Sequence, residues 1–223
     1  MKKYLFILLL LTACEPESVT PIEPKIDNHV NTWTDGVIPF AFTDNMPKEQ
    51  RGIILKAMET YERVCDVNYV RYELNDLFNL KQGFLIKYSG SVQSSIFPTG
   101  MPDYISEFRV SDIRFFNESV ALHELGHNLG REHEQQLANA LDYIIIDYDN
   151  LDPEWMGNFT LGETIFLTEF DYRSNMIYGS YDASIDKNKP VWTDFEGNTF
   201  EPSKTLTELD KLKYIELYGK ATL

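Results

Sequence analysis

Four histidines occur in 223 residues, and three of them, His123, His127 and His133, fall within an eleven-residue stretch. The run reads His123-Glu124-Leu125-Gly126-His127-Asn128-Leu129-Gly130-Arg131-Glu132-His133-Glu134. A four-residue spacing on a helix sets the first two imidazoles about 40° apart in azimuth and roughly 6 Å apart along the axis, on one face. Both can reach one metal ion. Gly130 stands where the helix can end, and its freedom to adopt positive φ lets the chain turn so that His133 returns to the same ion. Three neutral imidazole nitrogens suit zinc and leave coordination open for water, the pattern of a catalytic rather than a structural site. Glu124, directly after the first ligand, is placed to act as general base on that water, while the metal lowers the water's pKa towards about 7 and polarises a substrate carbonyl. The chain therefore has to fold so that one helix and the turn after it aim three rings at one point.

Composition narrows what surrounds that point. Hydrophobic residues make up 43% and charged residues 25%, which is a globular balance and excludes disorder throughout. With 20 Lys+Arg against 35 Asp+Glu the net charge is -15, and no basic run of the kind that tracks phosphates occurs, so nucleic acid is excluded as a partner. Two cysteines, Cys14 and Cys65, are too few for a disulfide scaffold or a cysteine-based zinc module. Residues 1–13 carry Lys2, Lys3 and the apolar run from Tyr4 to Leu11, too short to span a bilayer and of secretory-signal form. Their end, Leu11-Thr12-Ala13-Cys14, resembles the lipobox of bacterial lipoproteins. That resemblance implies cleavage before Cys14 and lipid attachment to it, which anchors the protein to a bacterial cell envelope, facing the periplasm or the surface. The alternative is a plain signal peptide cut at a nearby small residue. Losing the two lysines moves the net charge from -15 to -17. Residues 14–31, with Pro16, Pro21 and Pro24 among acidic and polar residues, read as a tether between membrane and domain. The folded domain is expected over residues 32–223, with Cys65 as a small buried thiol.

Within that domain, Val37 to Phe42 has strand composition, with Pro39 pointing to an edge or an irregular pairing. Ile53, Ile54, Ala57, Met58, Tyr61 and Val64 recur at helical spacing, which predicts an amphipathic helix from Pro47 to about Val64. Val67–Tyr72, Phe84–Tyr88 and Ile105–Val110 are strand candidates, with turn-rich sequence between the first two. Asn117 is a cap for the histidine helix, which runs from Glu118 to Leu129. Leu141–Tyr148 reads as extended, the region to Tyr181 as irregular, and Thr207 opens a last helix that ends at Gly219. No internal repeat is evident.

The histidine run completes HExxHxxGxxH, and so resembles the zinc signature of the metzincin metalloproteases; Glu134 extends it to HExxHxxGxxHE, the form found in astacins. Three further stretches carry the resemblance over nearly all of residues 31–219. WTDGVIPFAF, Trp33 to Phe42, resembles the start of an astacin catalytic domain, and DYIIIDYDNLDPEWMGNF, Asp142 to Phe159, resembles the stretch after the zinc motif. SNMIYGSYDAS, Ser174 to Ser184, resembles the Met-turn. The resemblance implies one zinc per chain held by His123, His127 and His133, with Glu124 and Tyr178 catalytic and Met176 the apolar floor beneath the metal. In the family the tyrosine can ligate zinc at rest and swing away to stabilise the oxyanion, and a phenol donor aimed at developing negative charge is a sound transition-state element. The implied fold is α+β and zincin-like: an N-terminal lobe with a twisted, mostly parallel sheet and two long helices, then an irregular C-terminal lobe with a terminal helix. Spacing back from His123 puts Ser106 to Val110 at the family's antiparallel edge strand, which binds extended peptide by main-chain pairing.

The match has gaps. Cys65 stands where astacins place a cysteine after the first long helix, but its expected partner and the second family disulfide are missing. Ile177 replaces the usual histidine between Met and Tyr of the Met-turn, and Gln135 to Ala138 lack the usual arginine. In the family Glu134 contacts a freed N-terminus; here either it bonds other groups, or a second cleavage near residue 30 frees one and releases the domain from its anchor. The implied function is a monomeric zinc-dependent endopeptidase acting on proteins or peptides. The alternative is a surface lipoprotein that keeps the zinc but holds a peptide or glycoprotein without cutting it. The acidic excess disfavours acidic substrates at long range, unless Lys or Arg residues lining the cleft reverse that locally.

Overall fold

The β-branched and aromatic runs become one five-stranded sheet, seen in a computed structural model that describes residues 30–221 apart from residues 92 and 98. Cys14, the signal segment 1–13 and residues 14–29 of the tether lie outside the described residues. The strands are β1 (Val37–Phe42), β2 (Asn68–Arg71), β3 (Gly83–Tyr88), β4 (Ser95–Phe97) and β5 (Ile105–Val110), in the spatial order β2-β1-β3-β5-β4. All neighbours are parallel except β4, which runs antiparallel to β5. Parallel neighbours need crossovers, and the helices α1 (Lys48–Val64) and α2 (Leu74–Leu80) supply the first two.

Two expectations are decided here. Of the two alternatives for Pro39, the edge strand is excluded, since β1 has β2 on one side and β3 on the other. The Phe40 carbonyl faces β2, accepting from the Tyr72 amide at 2.8 Å. Alternation then turns the Pro39 nitrogen to the β3 side, where pairing begins only at Phe40 with Phe84, so the missing N–H falls just outside that ladder. Secondly, Ser106 to Val110 does not form the antiparallel edge, because β5 is paired on both sides and parallel to β3. The edge is β4, three residues between polar turns, too short to show an alternation. The helix α2 also lies in the segment read as turns; Leu77 is its one buried residue, so it carries no apolar stripe.

The core explains how the histidine helix, α3 (Glu118–Asn128), is held. Phe40, Phe84 and Phe108 from the sheet pack with Ile54, Ala57 and Met58 of α1 and with Ala121, Leu122 and Leu125 of α3. The last helix, α4 (Glu208–Tyr218), starts at a reciprocal cap between Thr207 and Asp210. A second cluster around Leu137, Ile144, Phe159, Phe166 and Trp192 fills the less regular half. There the only strands among the described residues are β6 (Ile144–Ile146) and β7 (Trp192–Asp194), paired antiparallel. Cys65 is a buried free thiol, pushed up to about 12 by that burial. A backbone bridge to Lys220 joins the end of α1 to the chain after α4.

Tyr61 links three helices from the middle of this core. Its hydroxyl lies 2.7 Å from the Leu122 carbonyl of α3 and 3.2 Å from the Tyr214 hydroxyl of α4, and the residue is fully buried. Tyr61→Phe leaves the Tyr214 hydroxyl without this partner away from water, while the Leu122 carbonyl keeps its bond within α3, and a buried group left unpaired costs about 1–3 kcal/mol. A fall of that size is expected in urea unfolding; an unchanged midpoint would contradict the role of this contact.

Candidate metal centre

The helix that carries the first two histidines begins where Asn117 Oδ1 accepts from the Val120 amide at 3.2 Å. It ends before Gly130, whose φ of +96° lets the Arg131 amide return to the Gly126 carbonyl at 3.0 Å. A side chain at 130 would be strained by the backbone and would strike Val30. The reversal brings His133 beside the helix instead of below it. Ring centroids of His123, His127 and His133 are 4.8, 5.2 and 4.6 Å apart in pairs, and the candidate ligand atoms all lie within 4.8 Å of one another.

Hydrogen positions follow from the partners. His123 Nδ1 lies 2.8 Å from the Asn175 carbonyl and His127 Nδ1 lies 2.6 Å from the Arg131 carbonyl. A carbonyl only accepts, so both Nδ1 atoms carry the hydrogen. His133 Nδ1 meets Gln136 Oε1 at 2.7 Å, and that amide is oriented because its Nε2 donates to the Gly157 carbonyl at 2.9 Å. All three Nε2 atoms are thus left with a bare lone pair, and those of His127 and His133 face each other at 3.2 Å. Protonation does not relieve the contact, because burial pulls all three imidazoles below their usual range, His133 to about 3. A cation held by three nitrogens resolves it, and the donor set suits zinc.

Beneath the rings, Met176 is fully buried, and a Cβ at Gly126 would collide with its sulfur and with Tyr214 Oη. That close approach accounts for a glycine inside a helix, where the residue otherwise costs stability. The Met176 carbonyl accepts from the Glu134 amide at 2.7 Å. Asp210 of α4 holds the same turn from the other side, accepting from Ser174 Oγ at 2.5 Å and from the Asn175 amide at 2.9 Å. The Glu134 carboxylate is fully buried against Arg131 Nη2 at 2.6 Å, Lys213 Nζ and the Asp171 amide at 2.9 Å. Among the described residues, then, Glu134 bonds these other groups. Arg131, Lys213, Glu134 and Asp210 together form a buried network of two cations and two anions.

A cavity of about 710 Å³ opens beside the histidines and holds His123, Glu124 and Tyr178 together. Burial pushes Glu124 up to about 8, against a smaller downward pull from a hydrogen bond with the Ile96 backbone of β4. Burial, and then the neighbouring carboxylates Glu124 and Asp182, raise Tyr178 and keep it protonated. The acidic residues on the cavity wall are Glu124, Glu154 and Asp182, with no Lys or Arg among the described residues. The local reversal of charge left open by the sequence does not occur there.

Every expected site residue among the described ones meets at this centre, whereas Cys14 lies outside them. Sequence reasoning missed Asn158, Asn175, Gln135, Gln136, Asp210 and Lys213. Asp210 had a signal, in the Thr207-x-x-Asp spacing of a capping box, but nothing in that spacing shows that the carboxylate also grips the Met176 turn.

Comparison with known proteins agrees with this geometry. The family model for astacin, described as a peptidase family, matches residues 25–211. Zinc metalloproteinase nas-6 of Caenorhabditis elegans is 28% identical over 204 residues, 88% of this chain and 56% of that protein. Flavastacin of Elizabethkingia meningoseptica is 36% identical over 116 residues, 50% of this chain and 26% of that protein. The chain thus spans about half the length of the first relative and a quarter of the second. Among solved structures, High choriolytic enzyme 1, a hatching enzyme zinc-protease from Oryzias latipes, superposes with a TM-score of 0.73 at 22% identity, covering 86% of this chain and 94% of that one. Myroilysin superposes with a TM-score of 0.63 at 16% identity, covering 85% and 96%. Both likenesses concern the fold, which is the α+β, mostly parallel arrangement expected.

The ion network under the site makes a separate prediction. Lys213→Met removes one of the two cations around a carboxylate that has no solvent to fall back on, and breaking a buried pair in this way costs about 3–5 kcal/mol. Denaturant unfolding of the variant measures it; a loss below about 1 kcal/mol would show the pair to be dispensable.

Proposed function

The chain belongs to the astacin family of peptidases, and from that membership and the site we propose that it is a zinc-dependent endopeptidase. One observation carries the reading: three imidazole lone pairs converge, with no hydrogen to separate them, and one of the rings, His123, lines a cavity that also holds a buried carboxyl and a phenol. His123, His127 and His133 would hold the zinc, which when bound supplies Lewis acidity that acidifies water and polarises the scissile carbonyl. The side chains do the rest. Glu124 takes a proton from the attacking water and delivers it to the leaving nitrogen, and a dication held by the three histidines would offset the burial that otherwise keeps this carboxyl protonated. Tyr178, protonated throughout, donates its hydroxyl to the carbonyl oxygen as negative charge develops there. Met176 and the Asp210 contacts fix the turn whose Asn175 carbonyl orients His123.

An extended substrate fits against β4, whose outer edge has no strand partner among the described residues and whose Ile96 touches Glu124. Glu154 and Asp182 on the wall favour neutral or cationic peptides. The peptide-holding alternative draws no support from a site that keeps both Glu124 and Tyr178 in the cavity. We further propose, on the Leu11-Thr12-Ala13-Cys14 sequence, that the protein is lipid-anchored to a bacterial envelope through Cys14. Among the described residues, no helix is long and apolar enough to cross a membrane.

Purified protein is expected to hold about one zinc per chain and to lose peptide hydrolysis with chelator. Glu124→Gln should keep the zinc and lower kcat by about 10²–10⁴-fold, the usual contribution of a positioned general base. Wild-type turnover in that variant would remove Glu124 from the mechanism. For the anchor, labelled fatty acid should enter the wild-type protein and not Cys14→Ala; label that survives the substitution excludes Cys14 as its site.

A further inference from the structure

Tyr178 is held through its backbone and packed along its ring. Its amide donates to Gln135 Oε1 at 3.2 Å, and its carbonyl accepts from Trp192 Nε1 at 2.9 Å. Its ring lies against His133 and Trp155, with centroids 4.5 and 5.5 Å away. In this position its hydroxyl hydrogen is set by the groups around the phenol oxygen. Among the described residues the phenol oxygen has one hydrogen-bond partner, Asn158 Nδ2 at 2.8 Å. An amide nitrogen only donates, so the phenol oxygen accepts there and its own hydrogen must point elsewhere. The open side is the cavity that Tyr178 shares with His123 and Glu124. Asn158 is itself held, because its carbonyl accepts from Gln135 Nε2 at 3.0 Å. One glutamine side chain therefore sets the spacing of both residues.

We propose that Asn158 is a positioning residue for the reaction: it fixes the Tyr178 hydroxyl as a donor aimed into the cleft. The proposal rests on the endopeptidase reading above. A donor already oriented meets the developing oxyanion without reorganising, which is where such groups have most effect. The bond accepted from Asn158 also polarises the phenol O–H and makes it the stronger donor. Ordinary packing would not require the amide to face the phenol oxygen with its nitrogen.

The test is a double-mutant cycle with Asn158→Ala, Asn158→Asp and Tyr178→Phe, on protein whose zinc content and thermal midpoint match wild type. Asn158→Ala is expected to lower kcat roughly three- to tenfold with KM unchanged, the scale of one neutral hydrogen bond. Asn158→Asp should lower it further, since a carboxylate accepts the phenol hydrogen and draws it out of the cleft. In the Tyr178→Phe background neither substitution should change kcat again. Calorimetry with an uncleavable phosphinic peptide, which mimics the tetrahedral state, should show the same pattern in Kd, and a cleaved product peptide should show none. Additive losses in the Tyr178→Phe background overturn the proposal, as do wild-type kcat and Kd in Asn158→Asp, or loss of zinc in both Asn158 variants. Wild-type protein that binds the phosphinic peptide but cleaves nothing would fail the endopeptidase reading, with the binding cycle still deciding the role of Asn158. Protein that does neither overturns both.

Discussion

Three imidazole hydrogens determine what this site can be. Each Nδ1 hydrogen is committed to an oxygen outside the ring cluster, so three lone pairs are driven into one small volume, two of them 3.2 Å apart. Without a cation that arrangement is repulsive, and burial prevents the rings from taking up protons to relieve it. The fold must therefore hold the rings against their own repulsion before any ion arrives. The oxygens that do so belong to Asn175 in the Met176 turn, to Arg131 just after α3, and to Gln136 in the short 3-10 turn Glu134–Gln136, all outside the long helices and the sheet.

Those pieces are in turn tied to the terminal helix by buried charge. Asp210 and Lys213 lie one turn apart on α4, and between them they reach the Met176 turn, Glu134 and Arg131. Buried ions are an expensive way to gain stability, because desolvation offsets most of their attraction. Their effect here is geometric, since a carboxylate with two cations and an amide around it has one satisfactory position. Glu134 in that position fixes the backbone next to His133, and the Glu134 amide grips the Met176 carbonyl. A well-packed leucine in its place would not define the direction of the chain. The charges balance within the network, so it asks nothing of the surrounding acidic surface.

How much of this was legible in the sequence depends on the range of the interactions. The histidine helix, its Asn117 cap and its Gly130 exit are local, and each was readable because one residue type answers one backbone requirement. Strands β1, β3 and β5 were readable as apolar runs, but which of them lay at the edge was not, because that depends on pairings across the whole sheet. Pro39 left an edge and an irregular pairing equally open for the same reason, since a proline excludes a hydrogen bond only where a partner strand extends that far. The short β4 and the seven-residue α2 bury too little to leave a period. Asn175, Asn158 and Lys213 were invisible because their partners lie at least twenty residues away, and a polar residue in a loop has no periodicity to betray it.

The irregular second half follows from the same accounting of donors and acceptors. Inside a helix or a sheet ladder nearly every carbonyl is already engaged, and little is left to orient a ring. The Arg131 carbonyl is free for His127 because the helix has ended, and the Asn175 carbonyl is free for His123 because its segment belongs to no ladder. Gln135 and Gln136 extend the principle with side chains. They satisfy backbone groups of the 157–160 segment at one end of each amide and position Tyr178 and His133 at the other. Greater regularity in this half would consume the very groups that aim the histidines. The less periodic part of the sequence is thus the part that supplies the orienting contacts of the metal centre, while the regular sheet and α1 provide the rigid body against which those contacts hold.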